Sequence, residues 1–323
     1  MRLNGLNAKT IHHTIYDLKK VKKTNKAGQE IYVEDFVKKP KLPNIDLIVL
    51  DEGGMVGGQI AEDLLSYKIP LLVLGDLQQL PPVMAHRKFL KKPDVVLDEI
   101  MRQSKDSSII YLSKLATHGY HIPYGNYNNG ESIIIKRSEL TEEYLRRADI
   151  IICGTNSTRD VINTYMRENI CGIKSNRIVV GDKLICRKNY WNVFMDYDED
   201  PIPLTNGLIG YVNGVYYGSK SKSKSVNMDI DFRPEFSEGN YFKRLPVNVT
   251  YPFLPFIKRS EINIKYVGYT VFEFGHAITC HLAQGSQYPT VLVYVESFGD
   301  SLYARQWLYT AITRAKENLI LVI

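Results

Sequence analysis

Leu47-Ile48-Val49-Leu50 is an apolar run that ends in two adjacent carboxylates, Asp51-Glu52. At the end of a buried strand that pair allows a division of labour. The first carboxylate can hold Mg²⁺, and the second can orient a water for attack on a phosphoryl group. Strands often end in acidic turns, so the pair alone leaves a plain turn open. A second run, Leu71–Leu74, ends in Gly75-Asp76-Leu77-Gln78-Gln79-Leu80-Pro81-Pro82-Val83. The two prolines fix φ and stiffen the loop, which would hold Gln79 at a set position near a γ-phosphate; a proline-bearing connection is the plainer alternative. Arg102 and Arg314 lie far apart in the chain, each flanked by helix-forming sequence. Guanidinium groups converging on a phosphate stabilise the charge that develops during transfer. Taken singly, each reads more readily as a surface arginine.

The elements that must position these residues follow from apolar patterning. Ile45–Leu50, Leu71–Leu74, Ile150–Cys153 and Val291–Val295 are short β-branched or aliphatic runs closed by polar turns, as buried parallel strands are. Ile60–Tyr67, Ser107–Ala116, Thr158–Asn169 and Tyr303–Ala315 carry apolar residues at spacings of three and four and predict helices between them. Alternation of the two predicts α/β layers. From about Asn213 to Val267 the texture changes to Tyr, Phe, Gly, Lys and Ser, with alternating runs at Leu245–Tyr251 and Ile262–Tyr266. This stretch predicts a small β module inserted in the second α/β unit. No internal repeat is evident.

Composition narrows the class. The chain has 323 residues, 44% hydrophobic and 24% charged, which excludes collagen, low-complexity disorder and a small disulfide scaffold. Length alone predicts about two domains. No apolar run approaches the ~20 residues of a membrane helix, and the N-terminus lacks a signal peptide's apolar stretch, so a cytoplasmic protein is expected. Four dispersed cysteines form no C-x-x-C pair, which points to free thiols rather than zinc. The net charge of +6 is concentrated: residues 1–43 hold ten Lys/Arg against four acids, and the rest is balanced at 31 against 31. Such a block attracts a phosphate backbone through counterion release, although a solvated face has the same composition.

Taken in order, the motifs resemble those of superfamily 1 helicases of the RecD/Dda type. Asp51-Glu52 and Gly75-Asp-x-x-Gln-Leu-Pro-Pro-Val83 are similar to motifs II and III, and Asp98-Glu-Ile-Met-Arg102-Gln-Ser104 to motif IV. Ala277-Ile-Thr279-Cys-His281-Leu-Ala-Gln-Gly285-Ser286 is similar to motif V, and Trp307-Leu-Tyr-Thr-Ala-Ile-Thr-Arg314-Ala-Lys316 to motif VI. Ala8-Lys9-Thr10-Ile11-His12 resembles the segment after motif Ia. Order and spacing held from residue 8 to residue 316 are far more specific than any one motif.

The resemblance implies two RecA-like P-loop NTPase lobes, the first (1–103) N-terminally incomplete. The second (104–323) would carry an SH3-like β insertion at about 213–267. It implies an ATP-dependent DNA helicase moving 5′→3′ on single-stranded DNA in a bacterial or phage-infected cell. Asp51 would bind Mg²⁺, Glu52 activate water, Gln79 sense the γ-phosphate, and Arg102 and Arg314 stabilise the transition state. Gly285 and Gln287, with the two arginines, would contact ATP; Thr10, His12, Thr279 and His281 would face DNA.

Three departures qualify that picture. Gly53-Gly54 stand where the family has a small residue and then Ser. Leu282 and Gln287 replace the lysine and the acid of motif V. No G-x-x-x-x-G-K-[ST] occurs, nor any Gly-Lys dipeptide, and that loop is what cradles the β/γ-phosphates. The expectation is therefore a helicase portion that is inactive until a separate Walker A segment completes it, and that works with replication or recombination proteins. A sheet lacking that strand would expose a pairing edge. The alternative is a helicase-derived, non-catalytic single-stranded-DNA-binding or accessory subunit.

Overall fold

Short apolar runs become strands here where a helix returns the chain beside its predecessor. The computed structural model describes residues 8–24, 30–82, 88–97, 107–195, 201–218, 228–264, 267–299 and 301–323. The chain divides into two units, 1–98 and 99–323. Arg102 lies outside the described residues, as does most of the Lys/Ser run after Gly218.

Unit 1 begins with a five-residue helix α1 (Ile11–Ile15) and an antiparallel hairpin, β1 (Tyr16–Thr24) with β2 (Glu30–Lys38). Next come β3 (Ile48–Leu50), helix α2 (Gly58–Leu65) and β4 (Leu71–Val73). The α2 crossover makes β3 and β4 parallel, Leu50 opposite Val73. Ile48, Leu50, Leu71 and Val73 turn inward onto Ile15, Val56, Ala61 and Leu64. The opposite face keeps Val49 at 55% and Leu72 at 49% exposure, so among the described residues this parallel pair is covered on one face only. Strands predicted from their patterning as buried on both sides are half-buried here.

Unit 2 holds a six-stranded sheet of β5 (Gly125–Tyr127), β6 (Ser132–Ile135), β7 (Ile150–Cys153), β15 (Ala277–Thr279), β16 (Tyr288–Tyr294) and β17 (Ala315–Val322), ordered β15-β7-β16-β17-β6-β5. All neighbours are parallel except β5 with β6. Helices α3 (Ser108–His118), α4 (Glu142–Arg147), α5 (Asn156–Tyr165), α7 (Cys280–Ala283) and α8 (Leu302–Ile312) connect or flank them. Side chains cap the long helices: Ser107 accepts from Ile109 N–H, Thr155 from Thr158 N–H and Ser301 from Ala304 N–H.

A second, antiparallel sheet is built from β8 (Lys183–Cys186), β11 (Ile209–Tyr217), β12 (Met228–Pro234), β13 (Phe242–Val247) and β14 (Phe272–Phe274). The β9 (Tyr190–Met195)–β10 (Ile202–Leu204) hairpin and a short helix α6 (Phe256–Ser260) adjoin it in sequence. Its core of Leu184, Cys186, Val212, Ile230, Phe232, Phe242 and Phe272 is separate from that of the parallel sheet. The module reaches beyond the 213–267 stretch, because β8 and β14 supply strands from either side of it. Their apolar character resembles that of the neighbouring α/β strands and hides the boundary. Ile262 and Ile264 form no strand; they pack on Tyr251, Tyr269 and Val271 instead. Among the described residues no helix is long and apolar enough to cross a membrane.

Candidate functional site

In unit 1 the parallel register brings Asp51-Glu52 and Asp76–Gln79 to the same, carboxyl ends of β3 and β4. The two turns are locked together by Gly53 N–H donating to Leu74 O (2.8 Å) and Leu74 N–H donating to Leu50 O (2.8 Å). A Cβ on Gly53 would sit 2.2 Å from Val73 Cγ1 and 3.3 Å from Leu74 O, and one on Gly75 would sit 3.1 Å from Gly54 N. That close approach accounts for glycine at 53. Substituting Gly53→Ala is expected to destabilise unit 1 by roughly 1–3 kcal/mol, as overpacking against a stiff β-branched neighbour does. Urea titration of the variant against wild type reads this directly.

Within the turn, Asp51 Oδ1 accepts from Glu52 N–H (2.9 Å), and Glu52 adopts a left-handed conformation, φ 52°. Asp76 accepts from Gln78 N–H (2.8 Å) and from Gln79 Nε2 (3.4 Å), and Gln79 is buried. Asp51 is exposed and offers oxygen, which suits a hard cation such as Mg²⁺. Among the described residues no three His, Cys, Asp or Glu side chains converge on one cation position. Mg²⁺ carried on nucleotide phosphates needs only one or two carboxylates, so this donor set fits it in that form. Nothing described here supplies the ring of backbone N–H groups that would hold those phosphates.

Thr10 caps α1, accepting from His13 N–H (3.3 Å). His12 packs on the hairpin, its ring 5.3 Å from Tyr16 and 5.0 Å from Phe36, and burial lowers its pKa. Of the two, only His12 presents a side chain not already used in a cap.

In unit 2, Arg314 is 2% exposed. Its Nε donates to Thr310 O (3.0 Å), Nη1 to Ser286 O (3.1 Å) and Nη2 to Thr313 Oγ1 (3.1 Å). The guanidinium thereby ties the end of α8 to the loop carrying Gly285 and Gln287. Gly285 has φ 78°, which glycine adopts without strain. Thr279 closes β15 opposite Cys153 of β7, and His281 follows in α7. Ligands of open α/β sheets bind at such carboxyl edges.

Two clusters escaped sequence reasoning. At the carboxyl edge, Glu296 accepts from the N–H groups of Gly154 and Thr155 and the hydroxyls of Thr155 (3.1 Å) and Thr158 (2.6 Å), clamping the β7–α5 turn. The only sequence signal was that both strands end in polar residues. Burial alone would raise the Glu296 carboxyl; the donors from Thr158, Gly154 and Thr155 outweigh it and hold the pKa below its ordinary 4.5. A carboxyl depressed by folding stabilises above its unfolded pKa and loses that contribution as pH falls through the folded one. Thermal melts below pH 4.5 are therefore expected to fall less steeply for Glu296→Gln than for wild type. The second cluster is buried: Arg159 on α5, Arg187 after β8 and Arg259 on α6 surround Glu273 of β14.

Comparison with known proteins bears on both units. Residues 274–322 match the UvrD-like helicase C-terminal domain, and residues 2–134 match an AAA domain. The ATP-dependent RecD2 DNA helicase of Deinococcus radiodurans is 25% identical over 307 residues, covering 84% of this chain and 36% of that protein. In sequence the chain is similar to superfamily 1 helicases of the RecD/Pif1 type. An uncharacterized protein of Methanocaldococcus jannaschii, MJ1519, is 24% identical over 349 residues, covering 86% of this chain and 29% of its own length. The chain thus spans about a third of the length of the curated relatives it matches. In fold, it is similar to the Pif1 helicase of Candida albicans, with a TM-score of 0.50 and 14% identity over 86% of this chain and 71% of that one. A Pif1 structure described as explaining DNA unwinding at forked duplex by two coordinating helicases gives 0.51 and 16%, covering 86% and 69%. The two units are RecA-like lobes.

Proposed function

We propose that this chain is the C-terminal portion of an ATP-dependent DNA helicase that translocates 5′→3′ on single-stranded DNA in the cytoplasm once a Walker A segment completes it. The observation that carries this reading is the glycine-locked pairing of the β3 and β4 turns. It holds Asp51, Glu52 and Gln79 at one end of a parallel sheet, the arrangement phosphoryl transfer needs. Bound Mg-ATP would supply the phosphoryl group. Asp51 is the residue to hold the metal, Glu52 to orient water, and Gln79 to face the γ-phosphate. Arg102 and Arg314, with Gly285 and Gln287, are the further contacts expected with the nucleotide. The domain boundary near 103 and an SH3-like character of the β module belong to the same proposal.

DNA binding rests on Thr10, His12, Thr279, His281 and the basic N-terminal block. Contacts of that kind meet backbone and unpaired bases rather than groove edges. Fluorescence-anisotropy titration should show preference for single strands and an affinity that falls between low and moderate salt. Equal affinity for duplex, or no salt dependence, would contradict it. The 323 residues alone should hydrolyse ATP negligibly, with or without DNA, because their sequence holds no G-x-x-x-x-G-K-[ST] loop to cradle the phosphates. The Arg314 contacts within its own lobe favour one second reading, a single-strand-binding accessory subunit. That reading prevails if a completed protein binds DNA but does not turn over ATP.

A further inference from the structure

Four rings form a continuous aromatic ladder at the carboxyl edge of the unit 2 sheet. His281 lies 6.2 Å from Tyr303, Tyr303 lies 5.6 Å from Phe298 in an edge-to-face contact, and Phe298 lies 5.3 Å from Trp307. Tyr303 and Trp307 are four residues apart on α8 and so share one face. Trp307 is buried, and its carbonyl accepts from Cys280 Sγ, which anchors the inner end of the ladder. The outer end is open: Tyr303 is 37% exposed.

The ladder is held from a second side. Phe298 rests against Gly154, where a Cβ would come within 2.1 Å of its Cζ and 2.8 Å of Glu296 Oε2. Glu296 in turn clamps the β7–α5 turn through four donors. Two backbone segments and one helix thus fix the rings before anything binds. Burial lowers the His281 pKa, so its ring is neutral near pH 7 and offers a π face rather than a phosphate-binding cation.

We propose that Tyr303, backed by Phe298 and beside His281, is a stacking platform for one unpaired base of a single strand lying along this edge. The chemistry fits a nucleobase: a preformed, partly exposed aromatic face beside the His281 ring, backed by Phe298 where it packs on Gly154 of the β7–α5 turn. Stacking on such a face is sequence-tolerant, because every base presents a π surface. The proposal deepens the single-strand reading above and rests on it. Neither Phe298 nor Tyr303 belongs to the motif residues that suggested DNA contacts.

The test uses the whole chain and an oligothymidine of about 16 nucleotides carrying a single 2-aminopurine, moved stepwise along the strand. At one position wild type should quench the probe, as stacking does. Tyr303→Ala should abolish that quench and weaken binding at least about tenfold, roughly 1.4 kcal/mol. The slope of log affinity against log salt should stay unchanged, because no phosphate contact is lost. Tyr303→Trp should restore quench and affinity, whereas a merely structural role would favour neither. Phe298→Leu, expected to fold but to loosen the platform, should give an intermediate loss. If wild type binds and Tyr303→Ala matches it in affinity and quench, the platform is wrong while the single-strand reading stands. If wild type fails to bind the oligonucleotide, both are overturned.

Discussion

Replacing Glu273 with Ala should destabilise unit 2 by about 3–5 kcal/mol, the cost of leaving buried charge uncompensated. Glu273 Oε2 lies 3.0 Å from Arg159 Nη2 and 3.3 Å from Arg187 Nε, and Oε1 lies 3.3 Å from Arg259 Nε. Asp160 is the other carboxylate in the cluster, touching Arg159 and Arg259. Burial pushes the Arg187 guanidinium below its ordinary pKa, and Glu273 is the first opposing influence. Without that carboxylate, Asp160 still pairs with Arg159 and Arg259, while Arg187 loses its ion pair to Glu273. The lost contacts join α5 of the parallel-sheet core to β14 of the antiparallel sheet and to α6, so the damage falls on the seam between the two layers of unit 2. A melting-temperature drop on the order of 10 °C is expected for a unit of this size. Glu273→Gln, which keeps shape but not charge, should recover only part of it. A drop of a degree or less would show that the cluster is not holding the seam.

Arg314→Ala, made in a protein completed by a Walker A segment, should lower kcat by about 10³, the scale of an arginine finger. The side chain also has a structural share: its bonds to Thr310 O, Ser286 O and Thr313 Oγ1 join α8 to the Gly285 loop. The two roles separate by measurement. Loss of the three bonds appears as lowered thermal stability, and loss of transition-state charge appears in kcat with little change in nucleotide-independent DNA binding. Arg314→Lys should not rescue turnover, since a point charge lacks the planar fork that meets two oxygens at once. An Arg314→Ala protein that is less stable but turns over normally would assign the residue to structure alone.

The parallel strands and the residues at their ends were legible in the sequence because a buried strand writes itself as a local run. Ile150–Cys153 is one such strand, and the turns after Leu50 and Val73 were visible from the polar residues that close them. What escaped depends on contacts far apart in the chain. Glu296 meets Thr155 and Thr158, and Glu273 meets Arg159, Arg187 and Arg259, with no periodicity to announce either. The antiparallel module exceeded its expected limits for a related reason: β8 and β14 are as apolar as any core strand, and only pairing reveals which sheet they join. The glycines at 53 and 75 read as departures or loop residues in sequence; their meaning is steric, set by the neighbouring turn. Arg314 was visible as a motif residue, but the direction of its guanidinium was not.

Asp51, Glu52 and Gln79 are proposed here as part of an ATP-hydrolysing site that a phosphate-cradling loop would complete. Steady-state ATPase assay of the chain, alone and joined to a Walker A segment taken from the Deinococcus radiodurans RecD2 helicase, tests it most directly. The expected result is no turnover alone, DNA-stimulated turnover on completion, and its loss in Glu52→Gln. DNA-stimulated turnover by the 323 residues alone, or a folded, DNA-binding completed protein that never hydrolyses ATP, would contradict it.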